Sequence, residues 1–123
     1  AVNDHMGHAA GDMLLRSFAN DLDDSLPKAG MAIRKSGDEF IVLLPDAGRE
    51  TVQTYLEDLF ARLAVERRIG SETMKLSCSA GVSLWPGDSR HVEQLEWLAD
   101  QAMYHVKATG RGTWTWHVAN VQG

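Results

Sequence analysis

A chain of 123 residues, 44% hydrophobic and 24% charged, is the size of one domain and can bury a sizeable core. Its formal net charge of -5, from 17 acidic against 12 basic residues, argues against a generic nucleic-acid binder, which carries a basic excess. The one cysteine, Cys78, excludes an intrachain disulfide, and no apolar run approaches membrane-spanning length, so the expectation is a cytoplasmic domain with no membrane contact.

Residues 9–24 place Ala10, Met13, Leu14, Leu15, Phe18, Ala19 and Leu22 at helical spacing, and Leu26-Pro27-Lys28-Ala29-Gly30 breaks that helix. Residues 31–44 read as a hairpin: Met31 and Ile33 alternate with Ala32 and Arg34, Ser36-Gly37 turns the chain, and residues 40–44 form an apolar return strand. A second amphipathic helix is expected over residues 50–67, with Val52, Tyr55, Leu56, Leu59, Phe60 and Leu63 on its apolar side. Residues 73–84 alternate strictly, Met74, Leu76, Cys78, Ala80, Val82 and Leu84 against polar neighbours, which predicts one long strand with Cys78 in the core. A third helix follows over residues 91–108, is stopped by Gly110 and Gly112, and gives way to a last strand over residues 113–118, with Trp114 and Trp116 on one packed face. The order α-ββ-α-β-α-β points to an α+β architecture, helices packed on an antiparallel sheet.

The chemistry concentrates in Arg34-Lys35-Ser36-Gly37-Asp38-Glu39-Phe40. A hairpin turn needs small residues, but it does not need two carboxylates just before a strand enters the core, where charge is expensive unless something binds it. The pair reads either as a solvated turn or as a site for a hard divalent cation, which takes carboxylate oxygens beside substrate phosphates. Asp12 reads equally as a carboxylate at a helix start, favoured by the dipole. Lys107 and Arg111, four apart at a helix end, read as dipole-favoured charges or a solvated face. Asp100 reads as structural, and the histidines show no metal-ligand spacing.

The motif Ser36-Gly37-Asp38-Glu39-Phe40 between two strands resembles the signature of the GGDEF family, the diguanylate cyclases. Val2-Asn3-Asp4-His5-Met6-Gly7-His8-Ala9-Ala10-Gly11-Asp12 resembles the family's N-D-x-x-G-H-x-x-G-D block, and Ser79-Ala80-Gly81-Val82 its S-x-G-V strand. The segment from Ala99-Asp100-Gln101-Ala102-Met103-Tyr104 through Lys107 to Gly110-Arg111-Gly112 resembles A-D-x-A-M-Y-x-A-K-x-x-G-R-N. Four blocks in the right order cover nearly the whole chain. The resemblance implies an antiparallel-rich central sheet flanked by helices, the ferredoxin-like palm of nucleotide cyclases and polymerases. It implies condensation of two GTP into cyclic di-GMP with release of two pyrophosphates, by a homodimer presenting one GTP per subunit, with Mg²⁺ or Mn²⁺. The alternative is a catalytically inactive, GTP-binding regulatory domain.

By the same resemblance Asp38 takes the metal-ligand position and Glu39 the position that activates the attacking 3′-hydroxyl. Gly37 matches a glycine where backbone approaches the nucleotide, Asn3 and Asp12 the guanine contacts, and Lys107 and Arg111 the phosphate-binding cations. Three departures stand out. Ser36 replaces the first glycine of the signature, which matters only if that residue needs a positive φ. The R-x-x-D inhibitory motif is absent, since its window reads Pro27-Lys28-Ala29-Gly30. The family's first strand, D-x-D-x-F-K, with its metal-binding aspartate, does not appear before Asn3. The expectation is therefore a single GGDEF domain over residues 1–123 lacking its first strand, in a protein with a sensor upstream and a phosphodiesterase domain downstream.

Overall fold

A computed structural model describes residues 2–117, with side chains from Ala9 onward. The chain divides into two compact units, Ala1–Leu76 and Ser77–Gly123. In the first, helix α1 (Val2–Ser25) begins well before residue 9, where the helix was expected. Apolar spacing marks a helix only where it meets the core, and among the residues whose side chains are described the first buried one on α1 is Ala10. Helix α2 (Arg49–Leu63) buries Val52, Tyr55, Leu56, Leu59 and Leu63 along one stripe. It packs on α1, where the Tyr55 hydroxyl donates to the Leu22 carbonyl at 3.4 Å.

Between the two helices run β1 (Met31–Ser36) and β2 (Glu39–Leu43), antiparallel, the hairpin the sequence predicts. One of its faces meets α1, with Phe40 tilted against Phe18 at 5.3 Å between ring centroids. Helix α2 stops at Leu63, short of the expected 67, because the chain turns into a second hairpin, β3 (Arg67–Ile69) and β4 (Glu72–Met74). Ile69 pairs with Glu72 across a two-residue turn that opens on Gly70 at φ +63°. Arg67 fixes the start of β3. Its Nη2 lies 2.8 Å from Asp21 Oδ2 and donates to the Arg62 carbonyl at 2.6 Å, while Nη1 donates to Ser17 Oγ at 3.0 Å.

In the second unit, β5 (Ala80–Val82) and β6 (Trp114–Trp116) pair in parallel, joined by α3 (Val92–Thr109), which packs on both. A parallel pair needs a long crossover, and the helix supplies it. Val118, expected at the end of the last strand, lies outside the described residues. Trp114 and Trp116 share one face and meet edge to face at 5.3 Å, as their alternation predicts.

The single strand expected over 73–84 is two short strands, β4 and β5, separated by residues 75–79. Burial alternates through that stretch, with Lys75 and Ser77 exposed around buried Leu76, but the Leu76 amide donates to Leu63 at the end of α2 rather than to a ladder. Alternation reports one-sided burial and does not by itself report strand pairing. Cys78 is half-buried, and that burial pushes its thiol up to about 11. The described strands thus form two antiparallel ladders and one parallel ladder, a mixed α+β architecture.

Gly81 is where β5 lies closest to α3. A Cβ there would run into the Ala99 carbonyl, the Met103 amide and the Ala102 methyl. Gly81→Ala should therefore destabilise the fold by about 1–3 kcal/mol, the usual range for overpacking. Gly87→Ala, with nothing within 4 Å of the added carbon, should leave the urea midpoint nearly unchanged. Equal midpoints for the two variants would show that α3 moves aside freely.

Candidate functional site

Ser36 pairs with Glu39, so Gly37 and Asp38 form a two-residue turn at the tip of the β1–β2 hairpin. Gly37 takes φ +48°, a conformation glycine adopts without steric penalty. The non-glycine residues with positive φ are Asp46 and Arg111 among the described residues, so Ser36 has ordinary strand backbone and its replacement of glycine is mild. The register shifts between Arg34 and Ser36, a bulge that bends the strand just before the turn. Across that bend Arg34 Nε donates to the Gly37 carbonyl at 2.7 Å. Arg34, which sequence reasoning treated only as a strand residue, therefore braces the turn. An arginine three residues before a turn glycine was the available signal.

On this braced turn Asp38 is exposed and Glu39, the first residue of β2, is half-buried. Adjacent carboxylates on an open turn are hard oxygen donors. They fit Mg²⁺ or Mn²⁺, since Mg²⁺ commonly binds through one or two carboxylates and fills its remaining positions with water and phosphate oxygens. They do not make an all-protein cage: no group of three or more His, Cys, Asp or Glu residues gathers among the described residues.

Asp12 lies in the interior of α1, ten residues beyond its first residue Val2. The helix dipole acts within the first turn, so the helix-start reading of Asp12 does not hold. Instead Asp12 stands at the rim of a cleft of about 520 Å³ between α1 and the hairpin. Leu15, Ala19, Leu22, Ala32 and Phe40 give the cleft its apolar lining, while Arg16, Arg34 and a second carboxylate, Asp23, add charge. That volume and mixture suit a small ligand with a flat apolar body and polar edges. Asn3 falls in the first turn of α1, and its side chain lies outside the described residues.

In the second unit, Lys107 sits half-buried in the last turn of α3. Arg111 is not on the helix, contrary to the reading of the two cations as a helix-end pair. Gly110 closes α3 at φ +153°, and Arg111 follows in the left-handed region at φ +61°. Its amide and that of Gly110 both donate to the Val106 carbonyl, at 2.9 and 3.1 Å. The Gly112 amide donates to Ser79 Oγ at 3.1 Å, tying this cap to the segment before β5. A bulky residue in this conformation is uncommon, and these bonds hold it there. Asp100 is half-buried on α3, and no chemistry attaches to it.

The family model for the diguanylate cyclase GGDEF domain matches residues 1–113. The chain belongs to the GGDEF family. It is 37% identical over 111 residues to the diguanylate cyclase DgcP of Pseudomonas aeruginosa, covering 89% of this chain and 16% of that protein. It is 35% identical over 111 residues to the bifunctional diguanylate cyclase/cyclic di-GMP phosphodiesterase MucR of the same organism, covering 90% of this chain and 16% of MucR. It thus spans about a sixth of the length of these two relatives. The structure of the isolated GGDEF domain of YfiN (TpbB) from Pseudomonas aeruginosa superposes with a TM-score of 0.91 at 31% identity, over 97% of this chain and 70% of that one.

In this GGDEF domain the turn depends on Gly37. Gly37→Ala should destabilise the fold by about 1–2 kcal/mol, the penalty for a Cβ in the left-handed region, since nothing lies within 4 Å of the added carbon. Thermal melts of the two proteins measure it. An unchanged melting temperature would mean that the turn relaxes into another type.

Proposed function

We propose that this GGDEF domain is a diguanylate cyclase, condensing two GTP into cyclic di-GMP with release of two pyrophosphates as a homodimer. The observation that carries this reading is the intact Asp38-Glu39 pair on a glycine turn braced by Arg34. A purely structural hairpin has no use for that charge. The 3′-oxygen of one GTP attacks the α-phosphorus of the other, the bond to the β-phosphate breaks, and pyrophosphate leaves. In this reading Glu39 receives the 3′-hydroxyl proton, a role a carboxylate can fill within hydrogen-bond reach. Asp38 would hold the cation, which would supply positive charge against the phosphate oxygens. Asn3 and Asp12 read guanine, Gly37 lets the backbone approach the nucleotide, and Lys107 and Arg111 supply phosphate-binding cations. The other domains expected in the whole protein, a sensor and a phosphodiesterase, belong to the same proposal, and the bifunctional name of MucR supports the phosphodiesterase.

Glu39→Gln tests the chemistry. In the intact protein with GTP and Mg²⁺, cyclic di-GMP formation should fall by at least about a hundredfold, the scale of a lost general base, with the melting temperature preserved. Undiminished turnover would remove Glu39 from the mechanism. GTP binding by the unsubstituted protein without any product would favour the regulatory reading instead.

Asp12 tests base recognition. A carboxylate can accept the adjacent N1–H and N2–H bonds of guanine, a donor pattern adenine does not present. Asp12→Ala should weaken GTP binding by about 1–3 kcal/mol and leave the much weaker binding of ATP little changed. Calorimetry showing equal losses for both nucleotides would argue against this role.

A further inference from the structure

The cleft beside Asp12 holds a second charged group that the family pattern does not use. Arg16 lies four residues after Asp12 on α1, and both side chains are exposed at the rim of the same cleft. Four residues advance a helix by about 6 Å and return to the same face, which is about the span of a purine ring system. The i,i+4 spacing would allow an ion pair between them, yet none joins Arg16 to Asp12 among the described residues. The other arginine of the cleft, Arg34, has its Nε committed to the Gly37 carbonyl. Arg16 is an exposed cation on the same cleft as Asp12 and Asp23.

Resting on the GTP reading above, we propose that Arg16 is a specificity-determining residue, donating to O6 and N7 of the guanine whose N1–H and N2–H groups Asp12 accepts. The arginine fork matches that pair of acceptors, the commonest specific arginine contact to guanine. Together the two side chains read both polar edges of one base. Adenine fails at each: it lacks the paired donors for Asp12, and its 6-amino group turns a donor toward the donors of Arg16.

The test uses the intact protein with Mg²⁺ and two nucleotides lacking the attacking hydroxyl, 3′-deoxy-GTP and 3′-deoxy-7-deaza-GTP, which differ only at N7. In the unsubstituted protein, calorimetry should show the 7-deaza analogue binding on the order of tenfold more weakly, one charge-assisted hydrogen bond. Arg16→Met should weaken 3′-deoxy-GTP by a similar or larger factor and bring the two analogues to equal affinity within about twofold, as expected when one contact carries the difference. Arg16→Lys, which keeps the charge but loses the fork, should also shrink the 7-deaza penalty, and it gives the same reading if Arg16→Met does not fold. A penalty that persists in these variants, or that is absent in the unsubstituted protein, overturns the proposal while leaving GTP binding in place. Failure of 3′-deoxy-GTP to bind the unsubstituted protein overturns the GTP reading itself.

Discussion

The hydrogen bond from Arg34 Nε to the Gly37 carbonyl spans the one place where this hairpin could be loose. A two-residue turn with glycine first is compact, but glycine also has the most freedom to lose. The bulge before Ser36 twists the strand further. The arginine closes that bend from one side, and Phe40 against Phe18 anchors the return strand to α1 from the other. Between these two restraints Asp38 and Glu39 have a fixed platform. A carboxylate pair on a floppy turn would have to be ordered by its ligand and would lose affinity in doing so.

Much of the first unit was legible because its signals were local. Met31-Ala32-Ile33-Arg34, a small-residue turn and a five-residue apolar run specify a hairpin, and a hairpin was found with its acids at the tip. What escaped was decided by partners distant in sequence. The β3–β4 hairpin depends on Arg67 reaching Asp21 and Ser17, far back on α1. Without those partners, residues 64–67 look like one more turn of α2. Its two-residue turn, Gly70-Ser71, was the only local sign. The alternation over 73–84 matches burial only through Cys78, beyond which polar and apolar residues are alike half-buried, and two separate strands carry it as well as one.

The candidate site divides along the same line. The turn acids and Gly37 were readable because turn chemistry is local. Asp12 was assigned by resemblance alone, and its interior position in α1 removes the competing dipole account. The spacing of four suggested that Lys107 and Arg111 share one face at the helix end. Gly110 ends the helix first and sends Arg111 into the left-handed region. A glycine cap followed by a cation has a different geometry from two cations on a helical stripe, and Gly110 in the sequence already marked the difference.

The electrostatics of the turn set a condition on any phosphate-bearing ligand. The domain carries a net charge of -5, and two of its acids, Asp38 and Glu39, stand side by side at the hairpin tip. Two like unit charges 4 Å apart repel by about 4 kcal/mol at an effective dielectric near 20. Water at an open turn weakens that repulsion toward the roughly 1 kcal/mol of bulk solvent, but a triphosphate brought to Asp38 and Glu39 without a cation would still meet it. A bound divalent cation would reverse the sign, because its charge attracts both carboxylates and phosphates. The acids that oppose a bare nucleotide therefore favour a metal-bound one. Arg34 does not interfere with this arrangement: its Nε points to the backbone of the turn, so it stiffens the platform and need not neutralise the acids. In the proposed cyclase, charge complementarity at this turn selects the metal–nucleotide complex over either component alone.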